Sequence, residues 1–256
     1  MEKDSIFKTF AVALGVCVVC AVIVSVAATV LKPLQEKNKL LDKQTNVLRA
    51  AGLVDMKASV SSAEVDELFK KISPVVVDLE TGKVVPDAKP AKVEADEANR
   101  VAIPAAADVA GIKSRPKQVV VYIVKDASGK PETIVLPVYG RGLWSTMRGF
   151  FGIKSDLQTV KNLTFYDHGE TPGLGGEISN PAWVHRWSDK TALDERGNPI
   201  ITIIKGNVDP TSPQATNQVD GISGATLTCR GVNHTMQYWL SDSGFGKYIK
   251  NMKEGK

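Results

Sequence analysis

The sequence predicts an α+β fold, in which helices pack on a mixed sheet, preceded by one N-terminal transmembrane helix. The first observation is a charge-free apolar run at residues 10–31, since about 20 such residues span a bilayer core as a helix. The second is the order of strand-like and helix-like segments after residue 117, which suits helices packed on one sheet. A length of 256 residues allows one or two domains.

The composition is that of a globular protein rather than of a nucleic-acid-binding one. Hydrophobic residues make up 43% of the chain and charged residues 23%, and the net charge is only +4. No stretch is dense in Lys and Arg or interleaves them with aromatic residues, so we expect no nucleic-acid partner. The three cysteines make no disulfide framework. Cys17 and Cys20 lie in the apolar run, and Cys229 is predicted to pack in the first turn of a helix.

Charged residues flank the apolar run on both sides, as expected for a membrane anchor. A cleavable signal peptide is the alternative, because residues 25–27 form an acceptable cleavage site. The run continues to Leu31, which is longer than the apolar part of a usual signal peptide and favours a retained helix. Residues 32–60 are polar and are predicted to form a connecting helix, with the folded domain at 61–256.

The first part of the predicted domain combines one short helix with a long irregular stretch. A capping-box pattern at 61–64 begins an amphipathic helix, which is predicted to end near Ser73 and Pro74. The prolines and many small residues of 84–116 predict mostly loop.

Strand signals dominate the second half of the chain. Four runs predict strands, at 118–125, 133–139, 162–166 and 200–205. The first two have the pattern of a hairpin, with Gly129 between them. Asn180 and Pro181 begin a predicted helix, since Pro is favoured at the first helical position. Residues 227–240 predict another helix with one apolar face.

The most informative segment is the run Asp-Gly-Ile-Ser-Gly-Ala-Thr at 220–226, directly before the helix predicted at 227–240. Glycine lets the backbone approach a ligand closely, and a helix N-terminus offers free N–H groups and positive dipole charge to a phosphate. Ser223, Thr226 and Thr228 add hydroxyl donors, and one of these could be esterified. The alternative is an ordinary turn whose hydroxyl caps the helix.

This run resembles the flavinylation motif of the FMN-binding domain family, which is shared by the C subunit of the sodium-translocating NADH:quinone reductase and the G subunit of the Rnf complex. In that family the last threonine of the motif carries FMN through a phosphoester bond, and the matching residue here is Thr226. The resemblance also implies cofactor contacts from the residues around it: Asp220, Ser223, Gly224, Ala225, Leu227 and Thr228.

Two further strings resemble the same family. His-Gly-Glu-Thr-Pro-Gly-Leu-Gly at 168–175 is similar to a segment that lies against the isoalloxazine ring. The contacts that this implies come from His168, Glu170, Thr171 and Leu174. Gly-Arg-Gly-Leu-Trp at 140–144 is similar to a segment that helps to wall the flavin, and it is predicted to precede a short helical stretch. Taken by itself, Trp144 would also suit a core aromatic.

We predict neither a metal site nor a protein nucleophile. His168 and Glu170 are two potential ligands without a third, which is usually too few for a metal. A flavin that carries single electrons needs no protein nucleophile, so no catalytic residue is assigned. Lys205 closes a predicted strand. It could pair with the FMN phosphate or with flavin atoms that gain negative charge, and a solvated strand end is the alternative.

The resemblance implies an electron-relay protein with covalent FMN, in a complex that couples NADH oxidation and ubiquinone reduction to sodium transport. Its partners would be the other subunits and, through residues 10–31, the lipid bilayer. The 75–117 stretch favours the C subunit of the sodium pump over the shorter G subunit of Rnf. No G-x-G-x-x-G opens a helix after a strand, so we do not expect the chain to oxidise NADH alone. A non-catalytic, membrane-tethered assembly module and a secreted flavoprotein are the alternatives.

The resemblance also implies an orientation in the bacterial inner membrane. Residues 1–9 would be cytoplasmic and residues 61–256 periplasmic, where the flavin transferase of the family works. Lys and Arg are more numerous after the apolar run than before it, and the positive-inside rule taken alone favours the opposite orientation. That rule weakens where a long domain follows, so the periplasmic side is our prediction.

Overall fold

The computed structural model describes residues 6–126 and 128–255. Residues 1–5 of the predicted segment 1–9, and residue 256 of the predicted domain, lie outside them. The α+β class is confirmed. The chain divides into two compact units, and the division falls after Asp42.

The first unit is formed by helix α1 (Ile6–Ala50) up to the division. Large apolar side chains are exposed along it, such as Phe10 at 73% and Leu14 at 67%. By length and composition, α1 is the one helix in the described part of the chain that could cross a membrane. Apolar surface of this extent is unfavourable in water.

The last residues of α1 belong to the second unit and to its core. Val47, Leu48 and Ala50 are fully buried there. The helix stops at Ala50, and Gly52 follows with a φ of +72°, which is a common way for a helix to end. The predicted connecting helix 32–60 is therefore helical only as far as Ala50.

The remaining elements of the second unit follow in chain order. They are α2 (Ser62–Phe69), β1 (Ile72–Asp78), β2 (Lys83–Val84), α3 (Pro90–Ala95), β3 (Arg100–Ala102), β4 (Ser114–Pro116), β5 (Gln118–Lys125), β6 (Pro131–Arg141), β7 (Thr146–Lys154), β8 (Val160–Asp167), α4 (Pro181–Val184), β9 (Thr202–Ile203), β10 (Gln218–Val219), α5 (Thr226–Leu240) and α6 (Gly246–Lys253). Two short 3-10 helices flank α4, at Gly175–Ser179 and His185–Trp187.

One six-stranded sheet, in the order β2-β1-β5-β6-β7-β8, organises this unit. All its neighbouring strands are antiparallel, which corrects the expectation of a mixed sheet. Parallel pairing occurs in the separate pair of β9 and β10. β5 has the predicted bounds, and its hairpin with β6 is confirmed, because β-branched residues dominate both strands.

Of two predictions for the first part of the domain, one is wrong and one is confirmed. The amphipathic helix ends at Phe69, and Ser73 and Pro74 already lie in β1, where Pro74 pairs with Tyr122. The valine run that follows favours a strand over a longer helix. The stretch 84–116 is mostly loop, as predicted, and it also holds the short elements α3, β3 and β4.

The segment after residue 145 is strand β7, where the sequence predicts a short helical stretch. Gly149 and Gly152 interrupt its apolar pattern. A Cβ on Gly149 would overlap the carbonyl oxygen of Thr164, and a Cβ on Gly152 would overlap that of Ala50. Both positions therefore need glycine because another stretch of backbone comes very close.

Helix α5, predicted over 227–240 and confirmed, packs directly on β6. A Cβ on Gly140 would overlap Oγ1 of Thr235, and a Cβ on Gly231 would overlap the backbone of β6. The indole N–H of Trp239 donates to the carbonyl oxygen of Tyr139 at 2.6 Å. These contacts hold α5 against the last residues of β6, next to the candidate site.

Candidate functional site

Helix α5 begins at Thr226, directly after the small-residue run. Ala225 precedes it and makes no side-chain cap bond, so that position offers no acceptor to the first N–H groups of the helix. Gly224 has a φ of +73°, a conformation that favours glycine. The turn therefore presents bare backbone and the positive end of the helix dipole.

Two cavities meet at this turn, and Gly224 and Thr226 line both of them. The first has a volume of about 300 Å³. The other lining residues that the sequence predicted as cofactor contacts are Trp144, Glu170, Thr171, Leu174, Ala225, Leu227 and Thr228. Leu143 and Gly175 also line this cavity. The second has a volume of about 420 Å³ and includes the predicted residues Ser223 and Lys205.

The first cavity has an apolar rim that is open to solvent. Trp144 is 65% exposed, and Leu143, Leu174 and Leu227 are between 41% and 47% exposed. Trp144 is therefore not a core aromatic. Large apolar side chains gathered around a concave site suit a flat, apolar ligand.

The second cavity carries positive charge. Lys205 and Arg230 line it with Ser223 and Asn233, and both cations are exposed. Arg230 lies one helical turn after Thr226, so the two face the same side of α5. Sequence reasoning missed Arg230, and the four-residue spacing from Thr226 is the signal that could have found it.

The two threonines in the first turn of α5 differ in environment. Thr226 is exposed and lines both cavities. Thr228 is only 1% exposed, and its hydroxyl donates to Oε2 of Glu170 at 2.6 Å. Ser223 is also exposed, but it lines only the second cavity and not the first. An accessible hydroxyl at the junction of the cavities is thus offered by Thr226.

The carboxylate of Glu170 is buried and accepts four hydrogen bonds. The N–H groups of Leu143, Trp144 and Ser145 donate to it at 3.2, 3.0 and 3.4 Å, and the Thr228 hydroxyl completes the set. Burial alone would raise the pKa of Glu170, but the hydroxyl and the three N–H groups together lower it below its usual value. An ionised carboxylate therefore ties the loop after β6 to the start of α5.

His168 and Asp220 are not among the residues that line the two cavities. Nε2 of His168 lies 3.2 Å from the hydroxyl of Ser179. The carboxylate of Asp220 pairs with Arg186 at 2.5 Å and accepts the N–H of Val208 at 2.7 Å. Both side chains brace loops around the site. No group of three potential metal ligands occurs in the described part of the chain.

Cys229 packs beneath the turn. Its sulfur accepts the N–H of Ile222 at 3.4 Å, and the residue is 8% exposed. Burial raises the pKa of the Cys229 thiol, which keeps it protonated and unreactive.

Known proteins share both the sequence and the fold. Residues 142–241 match the family described as the FMN-binding domain. Over 262 residues the chain is 46% identical to the C subunit of the Na(+)-translocating NADH-quinone reductase from Pseudomonas aeruginosa, covering 100% of this chain and 99% of that protein. The C subunit from Yersinia pestis is 43% identical, with 99% and 96% covered.

Two solved structures agree with these relatives. NqrC of Shewanella oneidensis matches with a TM-score of 0.72 at 32% identity, over 86% of this chain and 99% of that one. The C subunit from Parabacteroides distasonis matches with a TM-score of 0.60 at 26% identity, over 86% and 96%. Near-complete coverage at more than 40% identity confirms the resemblance seen in the motifs. The chain therefore belongs to the C subunits of the Na(+)-translocating NADH-quinone reductases, within the FMN-binding domain family.

Proposed function

We propose that this chain is the electron-relay subunit of a Na(+)-translocating NADH-quinone reductase and that it carries FMN through a phosphoester bond to Thr226. The observation that carries the proposal is the exposed hydroxyl of Thr226 at the junction of two unlike cavities. The hydroxyl of Thr228, in contrast, is buried and committed to Glu170. The relatives are named as subunits of a Na(+)-translocating NADH-quinone reductase. The reaction of the whole complex would therefore be quinone reduction by NADH coupled to Na⁺ transport.

The residues of the two cavities fit the two ends of FMN. The cations Lys205 and Arg230 of the second cavity suit a phosphate joined to Thr226. The rim residues Trp144 and Leu174 of the first suit the flat ring. The flavin would supply the capacity to accept and release electrons. The chain's own residues would bind it, orient it and set the electrostatic environment around it.

In this proposal, other subunits deliver the electrons to the chain and remove them. The sequence contains no dinucleotide-binding fingerprint, so NADH would be oxidised elsewhere in the complex. The exposed apolar rim of the first cavity also supports a partner, because soluble surfaces rarely gather such side chains without one.

We further propose that residues 10–31 cross the bacterial inner membrane and that residues 61–256 form a periplasmic FMN-binding domain. The exposed apolar side chains of α1 support contact with lipid. The periplasmic side is supported by the flavinylation motif, since the family's flavin transferase works there. The Lys and Arg excess after residue 31 favours the cytoplasm, so orientation needs its own test.

The attachment is tested by the intact mass of the full-length chain, expressed with its partner subunits. The unsubstituted chain should carry one FMN adduct, and Thr226→Ala should carry none. Thr228→Val is the matched control, because it removes the neighbouring hydroxyl and should keep the adduct. An adduct that maps to Thr228 or Ser223 would contradict the assignment. A chain without any adduct would favour the non-catalytic assembly module.

Orientation is tested by labelling an introduced thiol in intact cells. Ser243 is exposed, so Ser243→Cys places a reactive group on the domain surface, and the unsubstituted chain with its buried Cys229 is the control. A reagent confined to the periplasm should label the variant alone. Labelling that requires a broken inner membrane would place the domain in the cytoplasm.

A further inference from the structure

Glu170 is buried beside the space where the proposal puts the flavin ring. We infer that Glu170 is a positioning residue whose fixed negative charge lowers the midpoint potential of the flavin, an inference that rests on the proposed function. Three features of the carboxylate support it: its hydrogen bonds, the close packing around it, and the lack of an ion pair with a cation of the described residues.

Both oxygens of the carboxylate are fully engaged. Oε1 accepts the N–H groups of Trp144 and Ser145, and Oε2 accepts the N–H of Leu143 and the hydroxyl of Thr228. Three consecutive N–H groups that converge on one anion form a nest. Because it is ionised, Glu170 has no hydrogen to donate to a ligand, and its acceptor positions are already occupied. Its influence therefore acts through its charge and through the two cavity walls that it joins.

The backbone around the carboxylate leaves room for it through two glycines. A Cβ on Gly142 would lie 2.5 Å from Oε1 of Glu170. A Cβ on Gly175 would lie 2.9 Å from Oε2 and 2.5 Å from the Thr228 hydroxyl. Such distances are well inside van der Waals contact. Segments far apart in the sequence thus enclose this one carboxylate.

The charge of Glu170 is not neutralised by a cation from the described residues. The ion pairs in that part of the chain do not include Glu170. The carboxylate is stabilised by N–H and O–H dipoles alone, so a net negative potential extends into the adjoining cavity, where screening by water is reduced. An electron added to a ring in that cavity adds negative charge, and Glu170 opposes this addition.

This electrostatic role predicts shifts of opposite sign for two nearly isosteric substitutions. Glu170→Gln removes the charge and should raise the midpoint potential of the flavin. Thr228→Val keeps the charge but removes one of the dipoles that offset it, and should lower the potential. Glu177→Gln is the matched control: the same chemical change in the same segment, on a residue outside both cavity linings, which should leave the potential unchanged.

The experiment is a redox titration of the flavin-loaded full-length chain in detergent near neutral pH. Dithionite supplies the electrons and ferricyanide removes them. Flavin absorbance gives the reduced fraction at each electrode potential, and intact mass is measured on the same samples. If Glu170→Gln takes up no flavin, the sign of the Thr228→Val shift decides by itself. Shifts of the same sign, or no shift in an adduct-bearing variant, would overturn the inference and leave the attachment intact. A wild-type chain without adduct would overturn the proposed function and this inference with it.

Discussion

The packing of α5 on β6 provides a quantitative test of how the site is positioned. Gly140 faces Thr235 across this contact, and a Cβ on Gly140 would overlap Oγ1 of Thr235 and lie 3.0 Å from its Cβ. We therefore expect Gly140→Ala to force α5 away from the sheet. Because Thr226 is the first residue of the same helix, the displacement would reach the site.

The expected loss of stability combines two opposing effects. Adding a methyl group to a packed core costs about 1–3 kcal/mol. Alanine in place of glycine recovers roughly 0.5–1 kcal/mol by restricting the unfolded chain, since Gly140 does not have a positive φ. The net destabilisation is about 1–2 kcal/mol, which corresponds to a fall in Tm of roughly 2–8 °C for a domain of this size.

A second substitution makes the cause identifiable. The hydroxyl of Thr235 donates only within the helix, to the carbonyl oxygen of Gly231 at 2.7 Å, so Thr235→Ala alone should cost about 1 kcal/mol. In the double variant the added methyl group replaces the lost volume. The double variant should therefore cost at least about 1 kcal/mol less than the sum of the two single-variant costs. Urea unfolding of the full-length chain in detergent, followed by tryptophan fluorescence, measures all four proteins. Costs that add within about 0.5 kcal/mol would refute the steric argument.

Three further outcomes are expected. Glu170→Gln should destabilise the domain near neutral pH, and the difference from the unsubstituted chain should shrink below pH 4.5, the ordinary Glu pKa. The lowered folded-state pKa of Glu170 gives stability that is present above that pH and is lost on protonation; a difference that grows in acid, measured by urea unfolding, would contradict this. Cys229 should react with iodoacetamide only after denaturation, as peptide mapping would show, because burial raises its pKa. Metal analysis of the pure chain should find no stoichiometric zinc or iron at His168. One mole of either metal per mole of chain would overturn that expectation.

Local sequence signals explain which elements could be predicted. β5 was predictable to the residue because its β-branched run is uninterrupted. β7 was not, because Gly149 and Gly152 are typical of loops and are needed only once β8 and the end of α1 approach them. That approach is tertiary information, and no window along the chain contains it.

The candidate site divides in the same way. The turn at Gly224 and the accessible position of Thr226 follow from a short contiguous motif, so sequence reasoning reached them. The engagement of Glu170 with Thr228 joins residues 58 positions apart, and Gly175 packs closely against both side chains. Such contacts come from topology, and composition and spacing could not reveal them.

The buried end of α1 determines where this chain can be shortened. The apolar run ends at Leu31, but the structural division comes only after Asp42, and Val47 and Leu48 are as buried as any residue of the domain. A water-soluble fragment that starts after Ala50 would lose these side chains and expose the core beneath them, and truncating such residues costs several kcal/mol in total. The natural place to begin a fragment is between Leu31 and Asp42, which removes the apolar run and leaves the last turns of the helix in place.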